Sequence, residues 1–299
     1  MLWAHPSLVG LPCAALLLLA PGNAQRRAQP IAGVIAALSL ALLFLTAAGG
    51  TRLGAMTATY IVLVTAAFIG LVLLQPAPLL RTAMRSIAIG GVATALLIQV
   101  FWGVDGFGAL NWETLRQTSL AVRGMVEASP PQAVGTTFAL YEPMVRVLSL
   151  TWPGMLALQT LAGLALAWQL HLRLAAVPLG QPLTRFRDFR MGDAWVWGIV
   201  AWLGVLILPV SRALHVAGTN LGLVAATLYV LRGAAIVATF AEAFGLSALA
   251  LVIAAAAAAA LAVPLIFILP GLCTLGITDT WYQYRRRLAE ARARRTHIN

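Results

Sequence analysis

The sequence predicts an all-α protein, a polytopic transmembrane helix bundle of about eight spans, with a ninth left open. Composition is the first reason, because 61% of the 299 residues are hydrophobic and 10% are charged, against about 25% charged in a soluble domain. The second is that apolar stretches of about 20 residues, the length that crosses a bilayer, recur along the chain. The third is that little sequence remains between them for a soluble domain. Such a composition excludes an ordinary soluble enzyme and also a disordered chain, which combines low hydrophobicity with high charge.

The apolar stretches that are long enough to cross a membrane give the order of the spans. They are residues 2–20, 30–49, 55–75, 86–104, 151–172, 194–211, 219–241 and 246–270. The first lacks the basic residues that open a signal peptide, so we expect a membrane helix there rather than a cleaved leader. The whole chain, residues 1–299, is therefore predicted to form a single integral membrane domain.

The segment between the fourth and fifth spans, residues 105–150, is predicted to lie outside the membrane and to form amphipathic helices. Within residues 111–127, apolar and charged side chains fall on different faces of a helix. A second run of this kind follows as far as Leu148, with Pro143 inside it. Two interpretations stay open: helices that lie at the membrane interface, or a lid over a cavity that opens to the outer face.

The charge of the chain is carried by arginine alone, since all 20 basic residues are Arg and the formal net charge is +11. Arginine follows the first, third and fifth spans, and the positive-inside rule assigns those loops to the cytoplasm. The tail, residues 284–299, is also strongly basic and is expected to be cytoplasmic. Eight spans would place it outside, so we expect a break near Pro264 and a short ninth segment that returns it. Because the arginines are concentrated in loops and a tail on one side of the membrane, they indicate the orientation of the protein in the membrane. We therefore expect no nucleic-acid partner.

Arg232 is the clearest ionisable residue inside a predicted span, because it lies near the middle of the seventh. A charge in the hydrocarbon region is costly and marks a candidate functional site. Tyr229 shares its helix face, and Asn220 opens the same helix, so these three are the candidate substrate-binding residues. Glu242 and Asp279 are the candidate supporting acids. Two explanations of Arg232 stay open, namely an internal ion pair and the binding of an anionic substrate.

Signals of catalysis and of metal or cofactor binding are absent from the sequence. There is no G-x-S-x-G nucleophile motif, no pair of carboxylates within a span, and no Lys for a phosphate-binding loop. Cys13 and Cys273 lie in apolar runs, and neither has a Cys or His at a metal-ligand spacing. We therefore expect no enzyme activity, no metal site and no cofactor.

Short motifs in the last third of the chain carry a family resemblance. They are Phe186–Phe189, Asn220–Leu221, Tyr229, Arg232–Gly233, Leu275–Trp281, Tyr284 and Arg285–Arg287. In this order they resemble the YybS-like family of bacterial multi-pass membrane proteins of unknown function, which implies the bacterial cytoplasmic (inner) membrane as the location. That family is distantly similar to the substrate-binding S components of energy-coupling-factor vitamin transporters. The similarity implies a small-molecule ligand and a partner membrane protein or ATPase module, docked through small-residue helix faces such as Gly33, Ala37 and Ala41.

Two functions are compatible with these observations. The first is a transporter-like protein that binds a small, anionic molecule in a midplane cavity lined by Arg232, Tyr229 and Asn220. The alternative is a non-transporting membrane scaffold or regulatory protein that acts through its Arg-rich tail on anionic lipid headgroups or on a partner protein. A cavity that reaches Arg232 would favour the first function, and an Arg232 that is saturated inside a dry bundle would favour the second.

Overall fold

The computed structural model describes residues 5–20, 28–75, 77–103, 105–127, 134–247, 250, 253–254, 256–257, 265–288 and 290. Within these residues the chain is helical and contains no β-strand, which confirms the predicted all-α class. Five helices are long and apolar enough to cross a membrane, and two shorter apolar helices accompany them in the described part of the chain. The long ones are Gln29–Ala48, Arg52–Leu74, Leu79–Trp102, Tyr141–Leu174 and Arg212–Ala243, and the short ones are Ser7–Leu19 and Asp193–Ile207. A total of eight or nine spans stays a prediction.

Contacts along the chain divide it into two compact units, of which the first is Met1–Leu183. Its described helices are α1 (Ser7–Leu19), α2 (Ala28–Ala48), α3 (Arg52–Leu74), α4 (Leu79–Trp102), α5 (Gly106–Glu127) and α6 (Val134–Leu174). Side chains from α1, α3 and α6 meet in an apolar core that includes Leu16, Phe68 and Trp168. That the whole chain forms a single membrane domain stays a prediction.

Polar contacts fix the ends of helices in this unit. The Ser7 hydroxyl donates a buried hydrogen bond of 3.0 Å to the Ser39 carbonyl and so ties α1 to α2. The amide of Leu53, in the first turn of α3, donates to the Glu113 carboxylate on α5 at 3.0 Å. An anionic side chain is favourable at this position, because the first amides of a helix have no partner within it.

The segment between predicted spans four and five corrects one part of the sequence analysis. Its first amphipathic run is helical, as predicted, although α5 already begins at Gly106. The second run is not a separate interfacial helix, because α6 continues from Val134 through Pro143 and Pro153 to Leu174. A helix of 41 residues therefore joins that run to the predicted span 151–172. Proline removes one amide from the helix without ending it where neighbouring groups compensate, as they do in many membrane helices.

The small-residue stripe of α2 lies on an open face of the first unit. Gly33, Ala37 and Ala41 are all exposed, and a Cβ atom added at Gly33 would meet nothing within 4 Å. Phe44 on the same helix is 72% exposed. This helix is therefore accessible to lipid or to another helix, and docking of a partner on it stays a prediction.

The second unit is Thr184–Asn299. Its described part has two short 3₁₀ turns, Phe186–Asp188 and Asp193–Trp195, and the helices α7 (Val196–Ile207), α8 (Arg212–Ala243) and α9 (Leu265–Tyr282). Helix α8 ends in a Schellman motif, in which the amides of Gly245 and Leu246 donate to the carbonyls of Glu242 and Ala241. This turn requires a positive φ, and Gly245 has a φ of +80°.

The last predicted span, residues 246–270, does not coincide with one described helix. Helix α8 ends at Ala243, and α9 begins at Leu265 and continues through Pro270 to Tyr282. Pro264 and much of the alanine-rich stretch before it lie outside the described residues. The predicted break at Pro264 and the ninth segment therefore stay predictions.

Candidate functional site

Arg232 lies at the centre of a charged network between α8 and α9. Its side chain is only 7% exposed and forms an ion pair of 3.1 Å with the equally buried carboxylate of Asp279 on α9. A second carboxylate, that of Asp193, accepts from both terminal nitrogens of Arg232 at 3.3 and 3.4 Å. The Thr280 hydroxyl is a further partner at 3.4 Å. Arg232 is thus held by two carboxylates and a hydroxyl, the arrangement that a buried guanidinium requires.

Two glycines allow the helices to come close enough for this network. A Cβ atom on Gly233 of α8 would lie 2.0 Å from the Leu272 carbonyl oxygen, and one on Gly276 of α9 would lie 2.2 Å from the Tyr229 carbonyl oxygen. No other residue fits at either position without displacing the opposite backbone. These two glycines therefore allow the close approach of α8 and α9, which places Arg232 beside Asp279.

Asp279 connects the helix pair to the start of the C-terminal tail. Its Oδ1 atom accepts a hydrogen bond of 2.9 Å from the Tyr284 amide, just beyond the end of α9. Its Oδ2 atom lies 3.6 Å from the Arg285 guanidinium, which is 11% exposed. The buried carboxylate of Asp279 therefore pairs with two buried guanidinium groups. It also fixes the position of the chain just after the end of α9.

Arg285 in turn holds the segment that precedes α7. Its Nη1 atom donates to the carbonyl oxygens of Arg187 at 2.9 Å and of Phe189 at 3.0 Å. Burial lowers the pKa of Arg285, and the nearby Asp279 carboxylate acts in the opposite direction. Arg187 forms its own ion pair with Glu242, and that contact raises the pKa of Arg187. The segment 186–193 is thereby attached to α8 and to the chain after α9.

The predicted site residues are brought together only in part. Arg232 and Asp279 are direct partners, and Tyr229 is buried next to them, with its hydroxyl near Thr280 but outside hydrogen-bond geometry. Asn220 lies 12 residues before Arg232 on α8, or about 18 Å along the axis, and its side-chain amide donates to the Val216 carbonyl. Glu242 pairs with Arg187 rather than with Arg232. The role of these residues in binding a substrate stays a prediction.

Asp193, Arg285 and Arg187 also belong to the network, and none of them is among the site residues predicted from the sequence. Asp193 lies in the loop between the fifth and sixth predicted spans, and Arg285 lies in the predicted basic tail. A signal did exist, because a buried Arg232 needs an acidic partner and the chain has only nine acidic residues, so few partners are available. Pairing through the backbone carbonyls of Arg187 and Phe189 has no signal in the sequence.

Each of the two units contains an open cleft among its described residues. One, of about 350 Å³, lies between α5 and α6 and is lined by residues that include Trp112, Arg116 and Arg146. The other, of about 530 Å³, lies between α8 and α9. Neither is lined by Arg232. Among the described residues, no group of three His, Cys, Asp or Glu side chains could hold a metal ion.

A comparison with protein families identifies the group to which this chain is related. A family model described as a predicted membrane protein, DUF2232, matches residues 23–280. The chain belongs to the DUF2232 family. The matched range of this DUF2232 protein includes Arg232, Asp193 and Asp279. The match confirms the resemblance to a YybS-like membrane family of unknown function. No curated protein and no solved structure matches the DUF2232 chain.

Proposed function

We propose that this DUF2232 protein is a non-enzymatic, non-transporting membrane scaffold or regulatory protein. Its working part is a basic face, which consists of the exposed Arg190, Arg286 and Arg287 and adjoins the buried Arg285. This face would bind anionic lipid headgroups or an acidic partner protein. The observation that carries the proposal is the double carboxylate contact of Arg232, which occupies that cation and fixes the basic face through Asp279 and Arg285.

The contacts of Arg285 support one location for the tail and for the segment before α7. Arg285 follows α9 and donates to backbone carbonyls at positions 187 and 189. A direct hydrogen bond requires both segments to be on the same side of the membrane. Because arginine-rich loops are retained in the cytoplasm, we propose the cytoplasmic side of the bacterial inner membrane for both.

Anionic lipid should stabilise the protein in proportion to the charge of the basic face. The full chain is reconstituted in nanodiscs of phosphatidylcholine, with or without 30% phosphatidylglycerol (about one lipid in three, a typical anionic surface), and its thermal unfolding midpoint is measured. The anionic lipid should raise the midpoint, and high salt should remove the increase by screening. Joint replacement of Arg286 and Arg287 by glutamine should weaken the interaction by about 2 kcal/mol, since each arginine near an acidic surface is worth about 1 kcal/mol.

Arg146→Gln is the matched control for that experiment, because Arg146 is an exposed arginine on α6 and does not belong to the basic face. Its response to phosphatidylglycerol should equal that of the unmodified chain. Equal midpoints in the two lipids, or equal losses in the control and the double variant, would contradict the proposed function.

The contact between Arg232 and Asp193 supports a second candidate function, the binding of a small anion. Asp193 is 66% exposed and lies at 3.3 Å from Arg232, longer than a strong charged hydrogen bond of about 2.8 Å. An anion from the solvent could therefore replace the Asp193 carboxylate without opening the helix pair. Displacement would detach Asp193 from α8 while Arg285 still holds residues 187 and 189, and a local change of this kind can be induced by a substrate or an effector.

Removal of the competing carboxylate tests this candidate. Inorganic phosphate should raise the unfolding midpoint of the Asp193→Asn variant at a lower concentration than it does for the unmodified chain. We expect a difference of about tenfold in the half-saturating concentration, which corresponds to about 1.4 kcal/mol. Asp188→Asn is the control, because Asp188 is exposed in the same segment. If phosphate has no saturable effect on any of the three proteins, the anion-binding candidate is wrong and the scaffold proposal is unaffected.

A further inference from the structure

The cleft between α8 and α9 is an apolar groove that opens toward the outside of the protein. We call it the α8/α9 groove, with a volume of about 530 Å³. Its lining is Ile236, Val237, Phe240, Ala241, Leu246, Leu275 and Tyr284. Six of these side chains are purely hydrocarbon, and the Tyr284 hydroxyl is the one polar side-chain group in this set. Such a surface accepts a flexible apolar chain and offers little to a polar solute.

The end of α8 gives this groove a defined wall. The Schellman motif at Gly245 brings Leu246 back against the last turn of the helix, where its amide donates to the Ala241 carbonyl at 2.9 Å. In this motif the residue after the glycine, here Leu246, commonly packs against the residue whose carbonyl accepts from its amide, here Ala241. Leu246 and Ala241 both line the groove. The wall is therefore fixed by backbone hydrogen bonds and does not depend on side-chain packing alone.

The basic face begins where the groove ends. Tyr284 lines the groove, and Arg285, Arg286 and Arg287 follow it directly in the chain. On the α8 side of the groove, Ala241 is followed by Glu242, whose negative charge is already balanced by Arg187. Arg286 has an exposed ion pair with Glu290 and a hydrogen bond of 3.4 Å to the Gln283 side chain. The guanidinium carbon of Arg287 lies 5.7 Å from the centroid of the Tyr282 ring. Exposed pairs of this kind contribute little, so positive charge remains available beside the groove.

We propose that the α8/α9 groove binds one acyl chain of an anionic phospholipid, whose headgroup contacts Arg286 and Arg287. This inference rests on the proposed function, because it assigns a defined lipid site to the basic face. Charge complementarity selects this occupant. A neutral lipid would offer no counter-charge of its own to the two guanidinium groups, and a partner helix would need to bury them. An apolar channel next to cations at the membrane surface fits a molecule with an acyl chain and an anionic head.

Retention of lipid by the purified protein tests the site. The full chain is extracted in mild detergent, exchanged into mixed micelles with equal amounts of phosphatidylglycerol and phosphatidylcholine, and examined by native mass spectrometry. We expect one retained phosphatidylglycerol per protein, and much less phosphatidylcholine. Val237→Trp places a large ring in the groove and should lower phosphatidylglycerol occupancy about tenfold, the effect of excluding about two methylene groups. Leu246→Trp, in the turn after α8, should act in the same way and serves as a second variant if the first does not fold.

Val200→Trp is the matched control, since Val200 is an exposed valine on α7 and does not line the groove. It should retain phosphatidylglycerol like the unmodified chain. Equal retention of the two lipids, or full retention by both groove variants, overturns the inference. The proposed function fails separately: if the groove variants keep lipid but the stabilisation by phosphatidylglycerol still depends on Arg286 and Arg287, only the acyl-chain site is wrong.

Discussion

Replacement of Gly276 by leucine is expected to disrupt the packing of α9 against α8 and to destabilise the second unit. A Cβ atom there would lie 2.2 Å from the Tyr229 carbonyl oxygen, so the helices must separate before the side chain fits. Overpacking usually costs about 1–3 kcal/mol, and a contact with backbone leaves little scope for relaxation, so we expect about 3 kcal/mol. The measurement is the thermal unfolding midpoint of the full chain in nanodiscs of constant composition.

Gly271→Leu is the matched control for this prediction. Gly271 lies on the same helix, is exposed, and has nothing within 4 Å of the position that its Cβ atom would take. Its replacement should change stability by about 0.5 kcal/mol or less, as surface substitutions usually do. A similar loss for the two leucine variants would show that side-chain bulk on α9, and not the close approach to α8, determines the effect.

Replacement of Asp279 by alanine is expected to have an effect of similar size for an electrostatic reason. The change removes the buried partner of Arg232 and of Arg285, whose side chains are 7% and 11% exposed. Removal of one member of a buried ion pair typically destabilises a protein by about 3–5 kcal/mol, because the remaining charge is desolvated and unpaired. The variant should also release the tail, since the Tyr284 amide loses its acceptor. Unfolding in nanodiscs measures the first effect, and limited proteolysis after Arg285 measures the second.

Asp188→Ala controls for the loss of an acidic residue in this unit, because Asp188 is exposed and precedes the network. It should remain within about 0.5 kcal/mol of the unmodified chain. Equal stabilities for the Asp279 variant and its control would contradict the role given to Asp279.

Much of the fold could be predicted because hydrophobic length and composition are local properties. The apolar stretches at 30–49, 55–75 and 86–104 have the length of a span, and each corresponds to a described helix. The prediction failed where helix continuity depends on neighbours. Pro143 and Pro153 do not interrupt α6, since a membrane helix can lose single backbone hydrogen bonds when surrounding groups compensate.

The site was predictable to the extent that a buried charge demands an opposite one. This rule singled out Arg232 and retained Asp279 as a supporting residue, and the two are direct partners. Proximity along a helix gave a weaker signal, because Asn220 shares α8 with Arg232 but bonds to its own preceding turn. Asp193 entered the network through tertiary structure, which places the segment before α7 against α8.

Arg232 is neutralised by this chain's own carboxylates and joins α8 to α9. A double-mutant cycle tests this pairing most directly, with Arg232→Met, Asp279→Leu and the double variant unfolded in identical nanodiscs. We expect a coupling energy of about 2–3 kcal/mol, so that the double variant loses less stability, by that amount, than the sum of the losses of the two single variants, because it leaves neither member of the pair buried without its partner. Additive effects within about 0.5 kcal/mol would show that the two residues act independently and that the ion pair does not join the helices.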